Sequence, residues 1–226
     1  MASLFLPRAG QAPPSDARVN ASHPLAAGLS VCGLYGSGSH VERVSAESPP
    51  ARWLEPDPMG GLIAGSFSAK MIPLNKAATY EPTITLLVTG YAYASPGFGT
   101  AGEQYLVAAG NASAVSSGRG LTFWNSNVRQ ASGGSSTAFS RGPFVAVQVI
   151  AVPNSGFGTI TSWFNGAQFA SATNVFGDKA QSHWGVVWGD TTANTTAITM
   201  SCAWTRALGD DDVRAVMAEP YAFLTR

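Results

Sequence analysis

The sequence predicts an all-β fold: a two-sheet antiparallel β-sandwich of jelly-roll type, closed by one short C-terminal helix. Three observations predict it. Charged residues make up only 12% of the 226, about half the usual ~25%, whereas long solvated helices need more Lys and Glu. Short runs rich in β-branched and aromatic residues follow one another, broken by Gly, Pro, Asn and Ser. The one convincing helical pattern is the closing "GDDDVRAVMAEP" (Gly209–Pro220). Many strands and one terminal helix fit two packed sheets, and uneven strand lengths favour a sandwich over a closed barrel. A hydrophobic content of 45% supplies a full core for a single domain over residues 23–226.

Residues 1–22 are rich in Pro, Ala and Ser and lack periodicity. They read as an extended arm, lying on a neighbour or along the domain rather than forming a strand. "GLSVCGLYG" (Gly28–Gly36) is a short apolar strand. "SAESPPARWLEPDPMGG" (Ser45–Gly61) carries four prolines and must be loop or sheet edge. Further strands are expected at Gly61–Leu74, Thr83–Ala94, Gln104–Gly110, Gly120–Ala131, Pro143–Pro153 and Gly158–Gly166. Three more follow, in "AQFASAT", "HWGVVWG" and "AITMSCAWT". Val145, Val147 and Val149 alternate with smaller or polar residues, the period of a strand with one buried face. Asn165-Gly166, between two aromatic-rich runs, supplies the positive φ angles of a two-residue hairpin turn at least steric cost.

The run Asp210-Asp211-Asp212 raises the question of a metal or catalytic site. It reads instead as helix-start chemistry. With Gly209 as N-cap, the three carboxylates occupy the first turn, where they meet unpaired N–H groups and the positive end of the helix dipole. Val213, Val216 and Met217 form an apolar face, and Pro220 stops the helix. Adjacent aspartates in a helical turn point in different directions and cannot converge on one ion, and a calcium loop would alternate its ligands.

Basic and acidic residues balance at 13 each without a basic cluster, which argues against binding to phosphate backbones. Low net charge favours association with partners. The apolar "LFL" near the start is too short for a signal-peptide core, and "FVAVQVIAV" (Phe144–Val152) is too short to span a bilayer. Neither export nor membrane insertion is expected. Cys32 and Cys202 are not spaced as a metal knuckle or redox pair and read as buried thiols. Sequons at Asn20, Asn111 and Asn194 carry no weight without secretion.

"SCAWTRALGDDDVRAVMAEPYAFL" (Ser201–Leu224) resembles the closing signature of LamG-like, concanavalin A-like jelly rolls. In these a last strand leads into Arg-Ala-Leu, a capped short helix and a Pro-aromatic tail. Here those are Trp204, Arg206-Ala207-Leu208, the Asp run and Pro220-Tyr221. "SWFNGAQFASA" (Ser162–Ala172) is similar to the family's hairpin, and "HPLAAGLSVCGLYG" (His23–Gly36) to its opening. The Pro-rich lead and "EPYAFLTR" end resemble variants found in tailed-bacteriophage structural proteins. Gly209 stands where Ser or Thr is usual, and Gly36–Leu62 matches poorly. The resemblance implies neighbouring first and last strands, hence proximity of Cys32 and Cys202. A disulfide would then be possible, although a reducing cytoplasm favours thiols.

Enzymatic readings find little support. The glucanases of this fold carry Glu-x-Asp-x-x-Glu on a strand, since two carboxylates must flank the scissile bond. The nearest approach, Glu55-Pro-Asp57-Pro-Met-Gly60, lacks the third acid and is broken by prolines. "GFGTAG" (Gly97–Gly102) is followed by a β-like run and not by a dinucleotide-binding helix, and "GFGT" recurs at Gly156–Thr159. His23, His40 and His183 are scattered. No catalytic residue, metal ligand or cofactor is assigned.

Sugar-binding faces combine aromatic platforms with amide hydrogen-bonders. "GLTFWNSNVRQ" offers Phe123, Asn125, Asn127 and Arg129 on one face of a single strand and Trp124 on the other. Trp184, Trp188, Tyr91, Tyr93 and Phe98 add further rings. The candidate carbohydrate-binding set is Trp124, Asn125, Asn127, Trp184, Trp188, Tyr91 and Tyr93. The same rings would also serve as sandwich core, and the sequence leaves both readings open. By resemblance, the expected function is a non-enzymatic virion surface protein of a tailed phage, made in the host cytoplasm. Its expected partners are other virion proteins and copies of itself; the alternative is a module that binds host surface glycans.

Overall fold

The computed structural model describes residues 12–14, 16–36, 39–42, 54–56, 62–64, 75–76, 83–92, 104–111, 114–124, 127–130, 135–139, 141–154, 157–175, 183–185 and 196–225. They form an antiparallel β-sandwich with one α-helix, as the sequence predicts.

The strands, in chain order, are β1 (Arg18–Val19), β2 (Leu29–Gly36), β3 (Ser39–Glu42), β4 (Leu54–Pro56), β5 (Leu62–Ala64), β6 (Asn75–Lys76), β7 (Ile84–Ala92), β8 (Gln104–Asn111) and β9 (Ala114–Trp124). They continue as β10 (Asn127–Gln130), β11 (Ser136–Ala138), β12 (Gly142–Asn154), β13 (Phe157–Phe164), β14 (Ala167–Val175), β15 (His183–Gly185), β16 (Thr196–Trp204) and β17 (Leu224–Thr225). The larger sheet runs β14-β13-β12-β7-β16-β2-β3, with β5 attached to β16 and β4 to β5. The smaller runs β11-β10-β9-β8-β15-β6. The proline-containing β4 pairs with β5 and holds an edge, the position a residue without a backbone donor can occupy.

The hairpin at Asn165-Gly166 forms as expected. Both turn residues have positive φ (45° and 89°), and Phe164 faces Ala167 across the ladder. The Asn165 carboxamide also accepts from the Val145 N–H at 2.9 Å, tying the turn to β12.

The valine alternation in β12 requires a correction. Val145, Val147 and Val149 are buried, but so are Ala146, Gln148 and Ile150 between them. The larger sheet is covered on both faces. On one face Leu86, Val88, Phe144, Ala146 and Phe164 meet Leu121, Phe123 and Val128 of the smaller sheet. Phe123, Phe139, Phe144 and Phe164 interlock there, with Phe123 edge-on to Phe144 at 5.4 Å between centroids. Gln148 sits in this interface because its amide donates to the Gly120 carbonyl at 3.0 Å and to Ser162 at 3.4 Å. Those bonds offset part of the cost of burying the amide, whose Oε1 is buried without a hydrogen-bond partner among the described residues.

On the other face Cys32, Leu34, Leu87, Val145, Val147, Trp163, Met200 and Cys202 meet a third layer built from both ends of the domain. That layer contains α1 (Asp210–Ala218), the strand pair β1–β17 and a short 3₁₀ turn at Pro24–Ala26. In α1, Val213, Val216 and Met217 are the buried residues, the stripe expected from the sequence. Gly209 is the N-cap in extended backbone without a side-chain cap, and all three aspartates lie in the first turn. Asp212 also accepts from Arg206 at 3.1 Å. Two residues of the expected arm form a strand after all: Arg18 pairs with Thr225 and Val19 with Leu224, while Ala17 is buried in the third layer.

Candidate functional site

The candidate aromatic and amide residues divide between the two sheets. Gly120–Ala131 is not one strand. It breaks after Trp124 and resumes at Asn127, so that Phe123 opposes Val128, Trp124 opposes Asn127, and Thr122 opposes Arg129. Directly opposed residues of a ladder share a face. Phe123 and Val128 are both buried and share the core face, while Asn127 and Arg129 alternate with buried Val128 and Gln130 on the outer one. Phe123 thus does not share a face with Asn127 and Arg129, as a continuous strand would require. The hairpin instead sets the Asn127 position in register with Trp124.

Trp184 lies on β15 of the same smaller sheet, opposite Ala109 of β8 and Asn75 of β6. Tyr91 lies on β7 of the larger sheet, opposite Pro143 and Ala197, and is half-buried. Its parity is that of Leu87 and Thr89, on the face turned away from the smaller sheet. The structure therefore does not gather Tyr91 with Trp124 and Trp184. Asn125, Tyr93, Trp188 and Gly97–Gly102 lie outside the described residues.

Several aromatics are core. Trp204 is fully buried and donates its indole N–H to the Leu25 carbonyl at 2.6 Å. Trp163 packs under α1, with the Arg214 guanidinium 5.4 Å from its ring centroid, a cation–π distance. Among the described residues the large apolar side chain that is exposed is Phe157, at 66%. It starts β13 and shares parity with exposed Thr159 and half-buried Thr161, opposite Thr173 and Ser171 of β14. The recurrence of "GFGT" marked this segment in the sequence without pointing to an exposed ring.

Chemically active groups are placed in structural roles. Thr89, Thr199 and Tyr221 form a closed triangle of buried hydroxyls, with O···O distances of 2.7, 3.0 and 3.0 Å. Burial pushes the Tyr221 phenol up to about 12, against the lowering effect of Thr199 and Thr89. Such a phenol holds its proton at neutral pH and pins the C-terminal segment to β7 and β16. A pKa raised on folding means the native state binds the proton more tightly. The stabilisation is complete below pH 10, the ordinary tyrosine value, and is lost as pH rises to about 12. We expect stability to fall by on the order of 3 kcal/mol over that window. In Tyr221→Phe this part of the slope should vanish, a difference readable from urea unfolding at pH 9 to 12. An unchanged slope in the variant would assign the loss to another group.

Cys32 and Cys202 lie directly opposite each other on β2 and β16, the neighbouring strands the resemblance implied. Both are buried and no disulfide joins them. His23, the N-cap of the 3₁₀ turn, accepts from the Leu25 N–H through Nδ1 at 3.2 Å. Among the described residues no group of three or more His, Cys, Asp or Glu is placed to hold a metal ion. No helix among them is long and apolar enough to cross a membrane.

No family model and no curated protein matches the sequence. The fold is similar to part of the Trypanosoma rangeli sialidase solved in complex with sialic acid. That similarity has a TM-score of 0.60 and 18% identity over 87% of this chain and 34% of the sialidase. A second structure of that sialidase, with 2,3-difluoro-KDN, aligns at TM-score 0.61 and 15% identity over 95% of this chain and 37% of the other. The botulinum neurotoxin serotype D binding domain aligns at TM-score 0.57 and 10% identity, over 86% of this chain and 51% of the other. This chain thus spans about a third to a half of the proteins it resembles. At these identities the likeness shows the fold, a jelly-roll β-sandwich.

Proposed function

We propose that this chain is a non-enzymatic attachment module: a surface part of a tailed-phage virion, on capsid or tail, whose jelly roll holds other virion proteins. The observation that carries the reading is the pairing of Arg18–Val19 with Leu224–Thr225. The two strands lie side by side in the layer that seals one face of the larger sheet. Attachment through that layer would leave the smaller sheet on the far side. Further support comes from the acidic run, which serves the start of α1, and from the match to only about a third of the sialidase, 34% of its length. The phage setting rests on the resemblance of the closing segment and the Pro-rich lead.

The test is removal of Met1–Gln11, which precede the buried Pro13 and Ala17. The shortened protein should fold with an unchanged melting temperature and fail to join particles. Normal incorporation would refute attachment through the arm. A cut at Ser22 would be uninformative, because it also removes β1.

Glycan binding is the second reading. It is favoured by the register of Trp124 with Asn127 and by two of the similar structures, a sialidase complexed with sialic acid and a toxin binding domain. A glycan array should then show binding that Trp124→Ala removes without unfolding. A blank array would favour the structural role, and hydrolysis of β-glucan by the purified protein would overturn both.

A further inference from the structure

We infer that β14 is an edge-to-edge docking strand for a second copy of this chain, joining two larger sheets into one continuous antiparallel sheet. The inference does not depend on what the module attaches to.

An edge strand exposes a row of unpaired N–H and C=O groups, and proteins commonly blunt such edges by shortness, charge, proline or bulges. The two ends of the larger sheet differ in this respect. β3, at one end, has four residues, two of them His40 and Glu42. β14, at the other, runs nine residues, Ala167–Val175, with no charged residue and no proline. Among the described residues β13 is its sole ladder partner. Its one irregularity is an extra residue, Phe169, close to the hairpin; from Ala170 to Val175 the pairing is regular. Among the described residues this edge therefore has no second ladder partner, although β11 of the smaller sheet comes close to it; it is uncharged and six residues long where it is regular, about 20 Å of ladder.

The occupant is argued from charge and symmetry. Antiparallel pairing of a strand with itself about a two-fold axis is self-complementary, because each copy supplies the groups the other lacks. Like charges directly opposed would penalise it, and β14 carries none. A formal net charge of zero removes the long-range repulsion between copies. An axis through Ala172 sets Ser171 opposite Thr173 of the second copy. The small exposed side chains of Ser171 and Thr173 leave the backbones free to approach.

The experiment is sedimentation of the full chain over a concentration series. Three proteins are compared: the natural one, Ser171→Lys/Thr173→Lys, and Ser171→Glu/Thr173→Glu. The natural chain should form a dimer. Each doubly charged variant should weaken that dimer by about tenfold or more, because like charges then oppose one another. Mixing the two variants should restore a heterodimer, which a misfolded variant would not do. A natural chain that stays monomeric throughout the series overturns the inference. So does a dimer that either variant leaves unchanged, or a mixture that shows no restoration.

Discussion

Gly90→Ala is expected to destabilise this protein more than any other single-methyl addition at the glycines whose surroundings are described. Gly90 lies in β7 between β12 and β16, opposite Phe144 on one side and Ile198 on the other. The pairing with β16 shifts register next to it, between Ile198 and Met200. A Cβ at Gly90 would overlap the Ala197 carbonyl oxygen and come within 2.7 and 2.9 Å of the Phe144 ring. The carbonyl belongs to the ladder and has no rotamer through which to escape. Nor is Phe144 free to move, being wedged edge-on against Phe123 and stacked with Phe164 at 6.2 Å. Overpacking without relief costs about 3 kcal/mol or more, a large share of a typical total of roughly 5–15 kcal/mol. Gly209→Ser is the matched control, since nothing lies within 4 Å of a Cβ there and serine suits an N-cap. Urea midpoints should separate the two clearly. Equal midpoints would mean that β7 and β16 can part locally at no cost.

What the sequence revealed follows from how local each signal is. Asn165-Gly166 and the Asp210–Asp212 start of α1 are readable because the turn and the cap are decided by adjacent residues. The break after Trp124 is not legible because Asn125-Ser126 carries no glycine and sits inside a continuous β-prone run. That omission also misassigned faces, since a strand read straight through a hairpin turn loses its pairing. The second buried face of the larger sheet escaped for another reason. Gln148 looked like a solvent-facing position, and its partners, Gly120 and Ser162, lie 28 and 14 residues away. Aromatic rings posed the hardest problem. Trp163 and Trp204 are buried and Phe157 is exposed, yet all three stand in short strand-like runs. Which ring faces water is settled by the third layer, assembled from residues near both ends of the domain.

That third layer leads to the second large effect: a chain ending at Leu208 should fail to fold. Removing Gly209 onward takes away Val213, Val216, Met217, Tyr221, Phe223 and Leu224, all buried against the larger sheet. At about 1.5–3 kcal/mol for each large side chain so buried, their combined loss reaches roughly 10 kcal/mol, comparable with the whole stability of an ordinary domain. The losses do not end there. Thr89 and Thr199 lose the Tyr221 hydroxyl, Trp163 loses its Arg214 cover, and β1 loses the only partner it has among the described residues. Cys32, Leu34, Leu87 and Met200 would then face water across a contiguous apolar surface, the kind that drives association. The expected product is aggregated, or compact with bound hydrophobic dye and no cooperative melt. The chain lacking Met1–Gln11 should remain soluble and cooperative by comparison. If the 1–208 chain melted cooperatively near the full-length midpoint, the two sheets would be sufficient on their own and the terminal layer would be a passenger. That outcome would also remove the basis for reading the layer that holds β1 and β17 as the side by which this module attaches.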